Sequence, residues 1–284
     1  TAGGTVLGFR EAAGKRIVNL ESCPVACPEI VAAFPALRDF LQAHAASGEV
    51  ALTLTDTGLD ATVWADREPN LGLRLDAPAF CEANGVVRLN WAREGDAPEP
   101  VIALQAAEMS WGGRTVMLPP DAFVQPTEAG ETVLTDFVLV AAGEAAHVAD
   151  LYAGCGAFSL PLAASGKHVR AIEGLAAQTA ALHRADPYVE TETRDLARQP
   201  LRAEELQGVD TVVLDPPRAG AAPQIAELAG SAVARVVYVS CNPATFARDA
   251  RTLVDGGYRL ERIQLVDQFL WSPHVELASV FTRA

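Results

Sequence analysis

The sequence predicts an α/β protein: a doubly wound, mostly parallel sheet of seven strands over residues 119–284, preceded by a smaller β-rich α+β domain over residues 1–118. Three observations carry this reading. Past Pro119-Pro120, short apolar runs alternate with helical patterns, as in successive βαβ units. Several of these runs end on residues capable of chemistry, at the strand ends where open parallel sheets hold ligands. Before Pro119 the runs are separated by Gly, Asp, Asn and Pro, which suggests an antiparallel sheet.

In the first domain, Thr5–Phe9 and Arg16–Leu20 alternate in strand fashion around the turn-prone Ala12-Ala13-Gly14. Cys23-Pro-Val-Ala-Cys27-Pro then leads into a helix over 29–44, with Ile30, Phe34, Leu37 and Leu41 on one face. A C-x3-C pair could be half of a metal site, but thiolate sites usually need four ligands and only Cys81 lies near, so no metal is expected. Five scattered Cys also argue against a disulfide framework. Strands are expected at 50–55, 61–64, 72–75, 86–91, 101–104 and 115–118.

The second domain opens with Phe123-Val-Gln125-Pro126 and a helix over 127–143, with Leu134, Phe137, Val138 and Ala141 on one side. A strand at 147–152 runs into Ala153-Gly154-Cys155-Gly156-Ala157-Phe158, which opens a helix. The next strand, 169–172, ends on Glu173 and is followed by a helix over 176–184. A strand near 188–193 has Asp195 just past it, and a strand at 209–214 ends on Asp215-Pro216-Pro217-Arg218. A helix over 223–231 leads to the strand 235–240, then Cys241 and a helix over 243–255 that starts on Pro243 and stops at Gly256-Gly257. Strands near 258–266 and 276–282 face each other around Trp271-Ser272-Pro273 as a terminal hairpin.

Half the residues are hydrophobic and a fifth charged, as in soluble globular proteins. No apolar run has membrane-spanning length and no basic-then-apolar leader opens the chain, so a cytoplasmic protein is expected. The net charge is −14, shared as −6 over residues 1–116 and −8 over 117–284, and only Lys15 and Lys167 are lysines. A nucleic-acid binder normally carries a basic footprint. Here one must come from clustered arginines or from a segment outside this chain.

The Gly154-x-Gly156 loop lets backbone N–H groups approach a ligand, and Glu173 can accept hydrogen bonds from both hydroxyls of a ribose. A dinucleotide fingerprint expects a third Gly where Ser159 stands. Together with Asp195, the pattern suits S-adenosylmethionine better than a dinucleotide. Cys241 ends a buried strand just before a helix N-terminus, which would favour its thiolate. A buried, inert thiol is the commoner fate of a free Cys. The cofactor loop, the acidic strand ends and the late carboxylate Glu276 favour a nucleophile.

LDPPRAG at 214–220 and SCNPAT at 240–245, with FVQ at 123–125, DLYAGCGAF at 150–158, IEG at 172–174 and HVE at 274–276, resemble the RNA (uracil-5-)-methyltransferase family. The resemblance covers essentially all of 119–284, and residues 1–118 resemble the family's central domain more loosely. It implies a Rossmann-like methyltransferase sheet, S-adenosylmethionine as cofactor, and RNA as partner, ribosomal in preference to transfer, with neither DNA nor a membrane involved. Gln125, Tyr152, Ala157, Glu173, Asp195 and Asp215 fall at its cofactor-binding positions, Cys241 at the nucleophile and Glu276 at the general base. Ala157 and Asp195 stand where relatives often carry Asn. Relatives usually begin with a small basic barrel that grips RNA, and some hold a four-iron cluster whose last Cys matches Cys23. That barrel and the three other cluster cysteines have no counterpart in this chain.

The implied chemistry uses the Cys241 thiolate on C6 of uracil to make C5 nucleophilic, and Glu276 to remove the C5 proton afterwards. The base must leave its stack to be reached. Arg218, Arg248 and Arg251 are candidates for phosphate contact, though solvated helix-surface arginines are an equal reading of each. Amino-group methyltransferases share a Pro-Pro motif but need neither a thiol at 241 nor a base at 276. Enzymes acting on cytosine C5 place their thiol where this chain has Asp215, and a non-catalytic RNA-binding module would need no Cys241.

Overall fold

The computed structural model describes residues 4–11, 14–45, 47–270 and 272–283. Ala12, Ala13 and Trp271, read above as parts of turns, lie outside the described residues. The chain forms two compact units: one runs through Met109 and takes in Met117–Asp121, the other holds Ser110–Val116 and everything from Ala122 onward.

In the first unit β1 (Gly8–Arg10) and β2 (Ile17–Asn19) pair as an antiparallel ribbon. Helix α1 (Pro28–His44) starts on a proline, which has no N–H to leave orphaned, and buries Ala33, Phe34, Leu37, Phe40 and Leu41. A four-stranded sheet follows in the order β3 (Gly48–Thr55), β4 (Gly58–Ala65), β5 (Val86–Arg93), β6 (Glu99–Ala103).

This sheet differs from the sequence reading in two linked ways. Residues 72–75 are not a strand; they lie in α2 (Leu71–Asn84). The Leu73/Leu75 alternation imitates a strand, but Asn70 caps the helix by accepting from the Leu73 amide at 3.0 Å, and Gly85 ends it with left-handed backbone. Leu73, Ala77, Phe80 and Cys81 are buried, a helical repeat that continues past the strand-like triplet. Consequently α2 is a crossover, and β4 and β5 pair parallel rather than antiparallel.

Inside this unit Arg88 grips Asp60 with two hydrogen bonds, at 2.9 and 2.6 Å, and donates to the carbonyls of Leu118 and Pro119 at 2.6 and 3.2 Å. Cys23 accepts the Ala26 amide at 3.4 Å, and no cluster of three or more His, Cys, Asp or Glu among the described residues is arranged for a metal. A short ribbon, β7 (Glu108–Trp111) and β8 (Arg114–Met117), follows.

The second unit begins with α3 (Glu128–Ala142), whose N-cap Thr127 accepts from the Gly130 amide at 3.1 Å. Its core is a seven-stranded sheet. In chain order the elements are β9 (His147–Leu151), α4 (Ser159–Ala164), β10 (His168–Glu173), α5 (Ala176–Ala185), β11 (Glu190–Thr193) and β12 (Thr211–Leu214). Then come α6 (Ala222–Gly230), β13 (Arg235–Ser240), α7 (Pro243–Asp255), β14 (Arg259–Val266) and β15 (Glu276–Thr282). In space the order is β11-β10-β9-β12-β13-β15-β14, parallel except for β15, which runs antiparallel to both neighbours. The chain winds outward in opposite directions from β9 and β12, leaving a crevice at their carboxyl ends. Apolar runs such as Val212–Leu214 and Val236–Val239 are fully buried because helices cover both sheet faces. Among the described residues, no helix is long and apolar enough to cross a membrane.

Candidate functional site

The carboxyl ends of the central strands line a crevice of about 570 Å³. The nine residues that the sequence reading assigned to cofactor binding or catalysis line it: Gln125, Tyr152, Gly154, Ala157, Glu173, Asp195, Asp215, Cys241 and Glu276.

One half of the crevice is built on β9, β10 and β11. Tyr152 leaves β9 with a φ of 62°, a left-handed value unusual for an aromatic residue that costs of order 1–3 kcal/mol. The bend brings the Gly154 amide to Glu173 Oε2 at 3.0 Å, while the Leu175 amide donates to Oε1 at 2.8 Å. Each carboxylate oxygen keeps a lone pair for a further donor. Asp195 accepts the amides of Ala197 and Arg198 at 3.0 and 3.3 Å, and Ala157 forms part of the wall.

The other half is built on β12, β13 and β15. Asp215 follows β12 and accepts from Gln125 Nε2 at 3.2 Å. Ser240 pairs with Leu277, so Cys241 and Glu276 come next on the two sides of the same antiparallel ladder. Glu276 is buried, and burial raises its pKa against the pull of Arg218. Asp215 is pushed up to about 8, first by burial and then by the Glu276 and Asp150 carboxylates. The Cys241 thiol is also pushed up, by burial and then by Glu276 and Asp215, with Arg218 opposing. The sequence reading expected the α7 N-terminus to favour the thiolate; here desolvation and two nearby carboxylates raise the thiol's pKa instead.

The loop carrying Asp215 is braced against α7. Asn242 Nδ2 and Thr245 Oγ1 donate to the Arg218 carbonyl at 2.9 and 3.2 Å, and Arg248 Nη2 donates to the Ala219 carbonyl at 3.0 Å. The buried carboxylate of Asp249 accepts from the Ala221 amide at 2.8 Å, the Tyr238 hydroxyl at 2.7 Å and Arg248 Nε at 2.9 Å. Gly220 lies so close that a Cβ there would sit 2.6 Å from Arg248 Nη2 and 2.7 Å from Asp249 Oδ2. Of the three arginines named from sequence, Arg248 is therefore committed to this brace and Arg251 pairs with Asp255 at 2.9 Å. Arg218 lines the crevice, with Nη2 3.1 Å from His274 Nδ1.

Sequence reasoning missed three contributors. Asp150, in the middle of β9, is buried with its pKa pushed up to about 7 by that burial. Its Oδ2 accepts from Ser159 at 2.6 Å, so the Ser in place of a third glycine has a partner. An acid inside an apolar strand was a readable signal. Asp249 and Gln268 gave none, because their ties to Ala221 and to Gln125 span 28 and 143 positions.

A family model described as tRNA (uracil-5-)-methyltransferase matches residues 189–284. An RNA methyltransferase of Caulobacter vibrioides, itself uncharacterized, is 41% identical over 293 residues, spanning 99% of this chain and 69% of its own. The 23S rRNA (uracil(1939)-C(5))-methyltransferase RlmD of Edwardsiella ictaluri is 33% identical over 302 residues, with 98% and 66% covered. Among solved structures, the Pyrococcus abyssi tRNA (uracil-54, C5)-methyltransferase in complex with S-adenosyl-L-homocysteine superimposes with a TM-score of 0.75 at 24% identity, covering 98% of this chain and 73% of that one.

Proposed function

The chain belongs to the RNA (uracil-5-)-methyltransferase family, and from that premise we propose that it methylates C5 of a uridine in ribosomal RNA, with Cys241 as nucleophile and Glu276 as the C5-proton base. Ribosomal RNA is favoured because the relative named for it is 33% identical, against 24% for the transfer-RNA enzyme of known structure.

The crevice fits S-adenosylmethionine. Glu173 can accept from a ribose diol beside the turn at Gly154, and Asp195, Asp215 and Glu276 line the same crevice as further polar contacts for the cofactor. When bound, that cofactor supplies an electrophilic methyl group. The chain's own residues do the rest. Cys241 Sγ bonds to C6 of the base, and the C5–C6 π electrons move to C5, which becomes nucleophilic. Once C5 carries the methyl group it still holds its proton. Glu276 removes that proton, the electrons re-form the C5–C6 double bond, and the C6–S bond breaks to release Cys241. A carboxylate whose proton affinity is raised by burial suits this step. Arg218 acts against the rise at Cys241 and so favours the attacking thiolate.

The observation that supports this reading most strongly is the β13/β15 register, which brings Cys241 and Glu276 side by side in the lining of a crevice that Glu173 also lines. The test is methyl transfer from labelled cofactor to separated ribosomal and transfer RNA, followed by nucleoside analysis. Label in 5-methyluridine from ribosomal RNA is expected, and Cys241→Ala should lower it to background while leaving S-adenosylhomocysteine affinity within about two-fold. Label in an amino-methylated nucleoside, or activity surviving Cys241→Ala, would refute the assignment. Label confined to transfer RNA would overturn the choice of RNA alone.

A further inference from the structure

Four side chains form a row ending in the crevice: half-buried Thr127, buried Gln268 and Gln125, and half-buried Asp215. The two ends of an amide have almost the same shape, so its direction is set by its hydrogen-bond partners. Here the direction is forced from one end. The Thr127 backbone N–H can only donate, and it lies 3.2 Å from the Gln268 side chain, whose facing atom must therefore be Oε1. Thr127 Oγ1 already accepts the Gly130 amide at 3.1 Å, leaving its own hydrogen for the same Oε1 at 2.9 Å. Gln268 Nε2 then faces Gln125 and donates to its Oε1 at 3.2 Å. Gln125 Nε2 is left facing Asp215, to which it donates at 3.2 Å. Gln268 and Gln125 are 5% and 9% exposed, so water does not compete for these positions. Helix α3 leaves room for the relay, because a Cβ at Gly130 would lie 2.2 Å from Gln268 Oε1.

We propose that Gln268, anchored by Thr127, is a positioning residue that fixes the direction of the Gln125 amide, so that the crevice presents an N–H donor beside Asp215 and not a carbonyl. One Gln125 Nε2 hydrogen goes to Asp215. The other is a donor for a ligand oxygen, and the arrangement disfavours a ligand amine at that spot. Resting on the uridine reading, two ligands offer such an oxygen: a ring carbonyl of the substrate base, or the carboxylate of the cofactor's amino-acid tail.

Two variants test this. In Gln268→Glu, both ends of the side chain accept, so Gln125 must turn its Nε2 toward residue 268 and its Oε1 toward Asp215. In Gln268→Met, the shape is kept and the direction is released. The direct readout is the Gln125 side-chain NH2 pair in nitrogen–proton NMR of the whole chain, assigned by its loss in Gln125→Met. Its hydrogen exchange should speed up at least ten-fold in Gln268→Met, and its shifts should move in Gln268→Glu. Unchanged Gln125 signals in both Gln268 variants would overturn the proposal. The NMR readout needs neither RNA nor methyl transfer, so it stands or falls separately from the uridine reading. Ligand binding then separates the two sources. A ten-fold or greater loss of S-adenosylhomocysteine affinity in Gln268→Glu points to the cofactor carboxylate. Unchanged cofactor affinity with a ten-fold higher KM for uracil-containing RNA points to the base. Loss of neither would overturn the role given to the second hydrogen.

Discussion

The two halves of the crevice hold their acids in different ways. On the β10 and β11 side, Glu173 accepts the amides of Gly154 and Leu175, and Asp195 accepts those of Ala197 and Arg198. Those carboxylates are fixed in place by backbone amide donors. On the β12, β13 and β15 side, Asp215, Glu276 and Cys241 crowd together in partial burial, and each is pushed upward. Arg218 opposes the rise at Glu276 and Cys241. The contrast separates two tasks within one crevice. Carboxylates fixed by amide donors suit the holding of a ligand, whereas groups with raised proton affinity suit the uptake and release of protons during a reaction.

The largest effect expected from breaking this contrast comes from Glu276→Gln. Turnover should fall by roughly 10²–10⁴-fold, the usual contribution of a positioned base. A covalent RNA–protein species, methylated when cofactor is present, should build up and survive denaturing electrophoresis. The same change removes a negative charge that raises the Cys241 thiol, so Cys241 should alkylate faster at neutral pH, as peptide mass spectrometry can follow. Full turnover, or slower alkylation, would mean the two groups are not coupled in this way.

On the binding side, Glu173→Ala removes a carboxylate acceptor. Loss of a charge-assisted hydrogen bond is worth about 1.5–3 kcal/mol, roughly 10- to 150-fold in S-adenosylhomocysteine affinity by calorimetry. Cys241 alkylation should stay within about two-fold. A variant that weakens ligand binding and changes thiol reactivity equally would erase the division between the halves.

The smallest effect is thermodynamic. With its pKa near 8 rather than the ordinary 3.8, Asp215 holds a proton in the folded chain that the unfolded chain has released between those values. Its contribution to stability is complete below about pH 4 and lost as the pH rises toward 8, with a slope of at most about 1.4 kcal/mol per pH unit. Urea unfolding of the free protein between pH 5 and 8 should therefore show a shallower decline for Asp215→Asn than for wild type. Identical slopes would place Asp215 outside the group of raised acids.

How much of this was legible in sequence depended on the range of the interactions. The strands of the second unit read clearly because parallel strands covered on both faces are continuous apolar runs, and each ran directly into its chemical residue. Asp215 and Cys241 each follow a strand by one position, so local pattern was enough to find them. Helix α2 was misread because Leu73 and Leu75 imitate a strand over three residues, while the deciding caps, Asn70 and Gly85, stand outside that triplet. The upward shift at Cys241 comes first from burial and then from carboxylates, both of which arise only in the folded β12/β13/β15 arrangement. Gln268 and Asp249 were silent because the relay to Gln125 spans 143 positions and the tie to Ala221 spans 28.

The brace between the Asp215 loop and α7 bears on how this enzyme can be recombined with its relatives. Gly220 has no room for a side chain against Arg248 and Asp249, and the Asn242 and Thr245 side chains hold the same loop by its Arg218 carbonyl. The loop and the first two turns of the helix are therefore inherited as one block. A chimera joined within β13 would set one parent's loop against the other parent's helix and lose this fit. Joints placed before β12 or after α7 should retain fold and activity together.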